Sequence, residues 1–146
     1  MSEPDINKPT TMFWAVGVVA LLWNLIGLWV YYTNVTATPE TLSELYSDAQ
    51  VEMILATPAW VTSATAIAVT AGVIGSILLL MQNRLSVLFF LVSLVAIVVQ
   101  DVHVFGMTDS IDVFGKQALY LQAVVLAISV YLLWYSQRQK ALGVLR

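Results

Sequence analysis

One stretch of this chain gathers the side chains best suited to chemistry: Gln100-Asp101-Val102-His103, where the only histidine lies two residues from a carboxylate. An imidazole titrates near neutral pH and can sense or relay protons, and a carboxylate beside it is its natural partner. On a helix, two residues correspond to roughly 200° of rotation, so Asp101 and His103 point to different sides while Gln100 and His103 share one. A direct dyad is therefore not expected unless the helix unwinds before Gly106. A metal site is not expected either, because one histidine and one distant carboxylate fall short of the usual ligand set. Two readings of His103 stay open, a proton-responsive group and a hydrogen-bonded interfacial side chain. Lys116 is the cation expected to pair with Asp101. Asn24 and Gln122 are amides in otherwise apolar runs. Together Asn24, Gln100, Asp101, His103, Lys116 and Gln122 form the set of candidate ligand- or ion-binding residues. None is assigned as catalytic.

The rest of the composition narrows the chemistry further. The chain has no cysteine, which removes disulfides, thiolate metal sites, covalent haem attachment and thiol catalysis together. A single histidine cannot ligate a haem through two imidazoles, so no cofactor is expected. There is no His-Glu-x-x-His pair, Walker loop, dinucleotide fingerprint or Gly-x-Ser-x-Gly turn, and an enzymatic role is not the expected one. The net charge of −3 arises mainly from one acidic loop, and no nucleic-acid partner is expected.

What positions these residues is a set of four apolar runs, Met12–Tyr32, Ala59–Met81, Leu85–Phe105 and Ala118–Ser136. Each is close to the ~20 residues that a helix needs to cross about 30 Å of hydrocarbon. With 60% hydrophobic and 10% charged residues, a water-soluble domain of this length could not hide them. The expected fold is an all-α membrane protein, an antiparallel four-transmembrane-helix bundle forming a single domain over residues 1–146. The lipid bilayer is then its first partner. Counting ~1.5 Å per residue from Leu85 puts Asp101 about 24 Å along its span, where a carboxylate costs less than at the midplane.

Charge sets the expected orientation. Lys8, Arg84, Arg138, Lys140 and Arg146 fall on one side of the spans and only Lys116 on the other. The positive-inside rule then places both termini in the cytoplasm. The first run is too long for a typical signal-peptide core and reads as a retained anchor. Trp14, Trp29, Tyr31, Tyr32, Trp60, Trp134 and Tyr135 fall near span ends, where amphipathic rings prefer the interface. Trp23 is the exception.

The outer loop, residues 33–58, carries two Thr-Pro pairs, each a helix-start signal. Thr38-Pro39 is expected to launch one short amphipathic helix over about 39–55, and Thr57-Pro58 the second span. On the short helix Leu42, Leu45, Tyr46, Ala49 and Met53 would share a face. Glu40, Glu44, Asp48 and Glu52 would recur every fourth residue on another. The segment would lie on the outer membrane surface or cap the bundle. Asn34-Val35-Thr36 matches a glycosylation triplet, a pattern common by chance.

Small or polar residues also recur every seven positions. The first span has Gly17, Asn24 and Tyr31; the second Thr65, Ala68, Gly72 and Gly75; the third Ser86, Ser93 and Gln100; the fourth Gly115, Gln122, Ser129 and Ser136. In lipid, close packing of small side chains and interhelical hydrogen bonds hold helices together, so these stripes are expected to face one another. Asn24, Gly72, Ser93 and Ser129 would share the middle layer. Gln100, His103, Gln122 and Tyr31 would lie nearer the outer side, as interhelical ties or as the lining of a shallow outward cavity.

Trp23-Asn24-Leu25-Ile26-Gly27, Thr57-Pro58-Ala59-Trp60-Val61-Thr62, the stretch Ala66–Gly75, and Ser93-Leu94 with Gln100 resemble a widespread, largely uncharacterised family of small bacterial four-span proteins. Members are sometimes loosely labelled as sugar transporters. The resemblance runs from Trp14 to Ser136 and implies a bacterial inner-membrane location, with no catalytic or binding residues to carry over. The basic turn usual in that group is thinned here to Gln82-Asn83-Arg84. The expected role is a structural or accessory membrane component acting through helix–helix contacts, in a homo-oligomer or a larger membrane complex. The alternative is an oligomeric transporter or channel for a small solute or protons, with Gly72, Gly75 and the Asn24/Gln100/Gln122 layer as its lining.

Overall fold

In the computed structural model, which describes residues 8–146, the chain is helical from α1 (Thr11–Thr36) through two short helices, α2 (Pro39–Leu45) and α3 (Asp48–Leu55). Then come α4 (Ala59–Leu80), α5 (Leu85–Gly106), the short α6 (Ser110–Phe114) and α7 (Lys116–Ala141). Helices α1, α4, α5 and α7 are each long and apolar enough to cross a membrane. They extend or match the runs read from the sequence, α7 by two residues at its start and one and a half turns at its end. Valine, leucine and isoleucine side chains such as Val18, Leu22, Ile26, Ile67, Val95, Leu121 and Val124 face outward, and many of the buried mid-span positions go to small residues such as Ala20, Ala68, Gly72, Ser93 and Ala96. This inverted arrangement marks a membrane protein, whose solvent is as apolar as its side chains.

Helix α4 is the centre. It packs most extensively on α5 and next on α1, and α5 in turn carries α7. The buried face of α4 is small along its middle, Ala64, Ala68, Ala71, Gly72, Gly75 and Ser76, with Val61 and Leu79 buried at its two ends. At Gly72 the backbone lets Asn24 come so close that an added Cβ would lie 2.1 Å from its Oδ1, with Ser93 Oγ at 3.5 Å. Asn24, Gly72 and Ser93 thus share one layer, as their heptad positions require. The Asn24 amide donates to Ala20 O (2.8 Å) and to Ser76 Oγ (3.2 Å), tying α1 to α4. Ser93 Oγ donates to Ala68 O (2.7 Å), tying α5 to α4.

At the end bearing the α4–α5 turn, the chain after α7 folds back. Gly143, at φ +80°, stops the helix, and Val144 and Leu145 are buried with Phe13, Leu79, Phe90 and Tyr135. Arg146 N donates to Gln82 O (2.8 Å) and Arg84 N to Arg146 O (3.1 Å), while Gln82 holds φ +57° to make the turn. Phe13 stacks on Tyr135 with centroids 6.5 Å apart. Tyr135, expected as an interfacial anchor, is instead 5% exposed, because this tail closes the bundle over it. Trp29, Trp60 and Trp134 do face outward, and the Arg138 guanidinium lies over the Trp134 ring.

The opposite end carries a cap. The single helix expected over 39–55 is two helices, broken at Tyr46-Ser47, because Ser47 and Gln50 form a capping box that restarts the helix. The break resets the helical phase: Leu42 and Val51 are buried, whereas Leu45 is 72% exposed. Thr38 caps α2 as expected. Thr57 does not cap α4; its hydroxyl donates back to Met53 O, satisfying the end of α3, and Pro58 precedes α4 with no side-chain cap. The cap is stitched to α6 by Gln50 Nε2 donating to Val113 O (3.2 Å) and by an edge-on Tyr46–Phe114 contact. Gly115, at φ +85°, then turns the chain into α7.

We expect Gly72→Ala to lower thermal stability in detergent by about 1–3 kcal/mol through overpacking against Asn24. Adding Asn24→Ala should recover part of that loss, and Gly106→Ala, which meets nothing within 4 Å, should be near neutral apart from propensity.

Candidate functional site

The polar residues singled out from the sequence divide between helix interfaces instead of converging. Asn24 belongs to the middle α1–α4 layer. Gln100 and His103 turn toward α4: the Gln100 amide oxygen accepts from Thr65 Oγ1 (2.5 Å), and the His103 ring stands edge-on to Trp60 with centroids 5.2 Å apart. Asp101 turns the other way, toward α7, where Oδ1 accepts from Gln122 Nε2 at 2.6 Å. The helical separation of Asp101 and His103 is therefore kept, and no dyad forms.

Lys116 makes no ion pair with Asp101. It is the first residue of α7 and is exposed. Gln122 lies six residues deeper, about 9 Å, and Asp101 five residues below the end of α5, about 7.5 Å. The amide, not the ammonium, is at the depth of the carboxylate. Asp101 and Gln122 sit at a shallow groove of about 540 Å³ between α5 and α7, whose other walls include Val98, Phe105 and Leu126. Among the described residues, Ser86 Oγ and His103 Nδ1 are buried without a hydrogen-bond partner. No group of three histidine, aspartate or glutamate side chains comes together there to hold a metal ion.

The best-formed cavity lies elsewhere. At the cap end α1 and α4 leave a space of about 590 Å³, roofed by α2, α3 and Phe114 of α6. Its α1 wall is Gly27, Val30, Tyr31 and Asn34; its α4 wall includes Thr62 and Thr65. Below it the helices close where Asn24 meets Gly72. No lysine, arginine, histidine or carboxylate lines it. Glu40, Glu44, Asp48 and Glu52 are all exposed on the outside of the roof. Thr65 is held by Gln100, but neither the Tyr31 phenol nor the Asn34 amide has a protein hydrogen bond among the described residues. Of the sequence candidates, none lines this cavity directly, and Gln100 reaches it only through Thr65. Tyr31 and Asn34 are three residues apart on α1, a same-face spacing that was the available signal.

Comparison with protein families, curated proteins and solved structures returns no match for the chain. The site must therefore be argued from its own geometry.

In a double-mutant cycle, Asp101→Ala and Gln122→Leu should show a coupling of about 1 kcal/mol in thermal or steric-trap unfolding, the scale of interhelical hydrogen bonds in lipid. Asp101 paired with Lys116 in a cycle should show none.

Proposed function

We propose that the chain is a multi-pass protein of a bacterial inner membrane, with both termini in the cytoplasm. In this reading it serves as a structural or accessory component through helix–helix contacts with a second copy or a larger complex. The orientation rests on Arg84, Arg138, Lys140 and Arg146 gathering at the end with the α4–α5 turn, together with Lys8 just before α1, while Lys116 alone is at the cap. The bacterial location draws on the resemblance of its spans to small four-span bacterial proteins.

The accessory role is carried by one observation. The first and last spans are the least enclosed: 17% of the apolar stretch of α1 and 11% of that of α7 are buried, against 39% in α4. Between them runs a wholly apolar cleft of about 340 Å³ bordered by Ala15, Val19, Trp23, Ile128 and Tyr131. Ala15 and Ala20 are the small residues of this seam, where another helix can come closest, and the larger side chains around them offer it apolar contact. A packed four-helix unit whose mid-span amides and Asp101 are tied across its helix interfaces suits docking better than conduction. The transporter alternative draws support from the cap-end cavity, and with Asn24 seated on Gly72 beneath it, a pathway would have to form between copies.

Purification in mild detergent with mass measured by light scattering tests this reading. We expect a homo-oligomer or a co-purifying membrane partner, and Ala15→Trp, which fills the seam at an exposed position, should release the single chain. A wild-type chain that runs alone in both detergent and nanodiscs contradicts the role, and failure of a Glu44→Cys variant to react with an impermeant maleimide outside intact cells contradicts the orientation.

A further inference from the structure

We propose that the cap-end cavity binds a neutral amphiphile with a flat ring and carbonyl acceptors at its opposite ends, the chemistry of a membrane quinone. The inference does not rest on the accessory reading, since it concerns a different face of the molecule.

The volume of about 590 Å³ falls within the range of small-molecule sites. Its lining decides the class. With no cation in the wall, an anionic headgroup would lose its hydration without a partner, and the exposed Glu40, Glu44, Asp48 and Glu52 around the roof would repel it on approach. With no carboxylate in the wall, an ammonium fares no better. A sugar needs donors and acceptors on every side, whereas Val30, Val35, Leu42, Ile54 and Leu55 make most of this lining apolar.

Of the polar lining, Thr57 and Thr65 are bound to Met53 and Gln100 respectively and Tyr46 stands in the roof, while the rest is placed on opposing walls. Tyr31 and Asn34 project from α1 with donors that no protein group uses. Thr62 faces them from α4, its hydroxyl only 3.5 Å from Pro58 O and so weakly held. Two acceptors at opposite ends of an apolar ring satisfy both walls at once. The edge-on Tyr46–Phe114 pair supplies an aromatic surface at the roof, which favours a planar ring over an aliphatic chain. The ligand's tail would lie in the surrounding lipid.

The test is intrinsic tryptophan quenching of the full chain in phosphatidylcholine nanodiscs, titrated with decylubiquinone, with decyl glucoside and decyl phosphate as competitors of the same tail length. We expect a saturable component above the linear quenching from quinone dissolved in the bilayer. Tyr31→Phe and Asn34→Ala remove groups with no protein partner, so melting should be unchanged while each weakens the saturable component about five- to tenfold, the worth of one hydrogen bond. Thr62→Phe, which fills the space, should abolish it. The proposal is overturned by purely linear quenching, by saturation that both single variants leave untouched, or by equal competition from the glucoside or the phosphate. The oligomeric state read by light scattering is independent of every one of these outcomes.

Discussion

Small side chains along the middle of the buried face of α4, from Ala64 to Ser76, set the positions of the other spans, with Val61 and Leu79 closing that face at its ends. In lipid, moving a leucine from the bilayer to a helix interface gains little, so the helices have to be held by contacts that lipid cannot make. Gly72 and Gly75 remove the side chain where Asn24 and Phe90 press in, and Ala64, Ala68 and Ala71 continue the same face. That closeness brings Asn24 within reach of Ser76, and Ser93 within reach of the Ala68 carbonyl. A larger side chain at Gly72 would separate α1 from α4 and leave the Asn24–Ser76 tie unmade. The cap-end cavity follows from the same constraint, since it opens where α1 and α4 are no longer drawn together by this layer.

Much of this was legible in the amino-acid sequence, for physical reasons specific to membranes. Run length reports hydrocarbon thickness directly, so the four spans appear within a few residues of their observed bounds. The seven-residue recurrence along each helix reports helix spacing, and Asn24, Gly72 and Ser93 share a layer as their positions imply, while Ser129, expected in the same layer, makes no hydrogen bond to it. The cap was misjudged because Glu40, Glu44, Asp48 and Glu52 keep a four-residue rhythm straight across a break. Solvated carboxylates tolerate either phase, so their periodicity carries no packing information. The Ser47-to-Gln50 spacing held the real signal, a capping box that outweighs an exposed stripe. Thr57 was misassigned for a related reason: one hydroxyl faced two orphaned helix ends, and the C-terminal carbonyls of α3 were nearer.

The site was harder to read than the fold. Polar residues in an apolar run attract notice, yet they are largely satisfied across interfaces, Asn24 by Ser76, Gln100 by Thr65 and Asp101 by Gln122. Pairing Asp101 with Lys116 assumed that the two lie at comparable depth; the carboxylate instead meets Gln122, six residues further into α7 than the ammonium. Of the groups left unsatisfied, Tyr31 belonged to the seven-residue stripe expected near an outward cavity, and it does line one, whereas Asn34 lies at a span end where polar residues are ordinary. Only the divergence of two helices beneath a roof, which no one-dimensional pattern encodes, sets them around a common space.

The most direct test of the central packing claim is a nitroxide scan along α4 in bilayers, reading oxygen accessibility as exposure to lipid. Minima at positions 64, 68, 71 and 75 with maxima at 63, 67, 70 and 77 are the outcome required if the small-residue face is the buried one. A flat profile, or one with its phase reversed so that isoleucines point inward, would contradict the account.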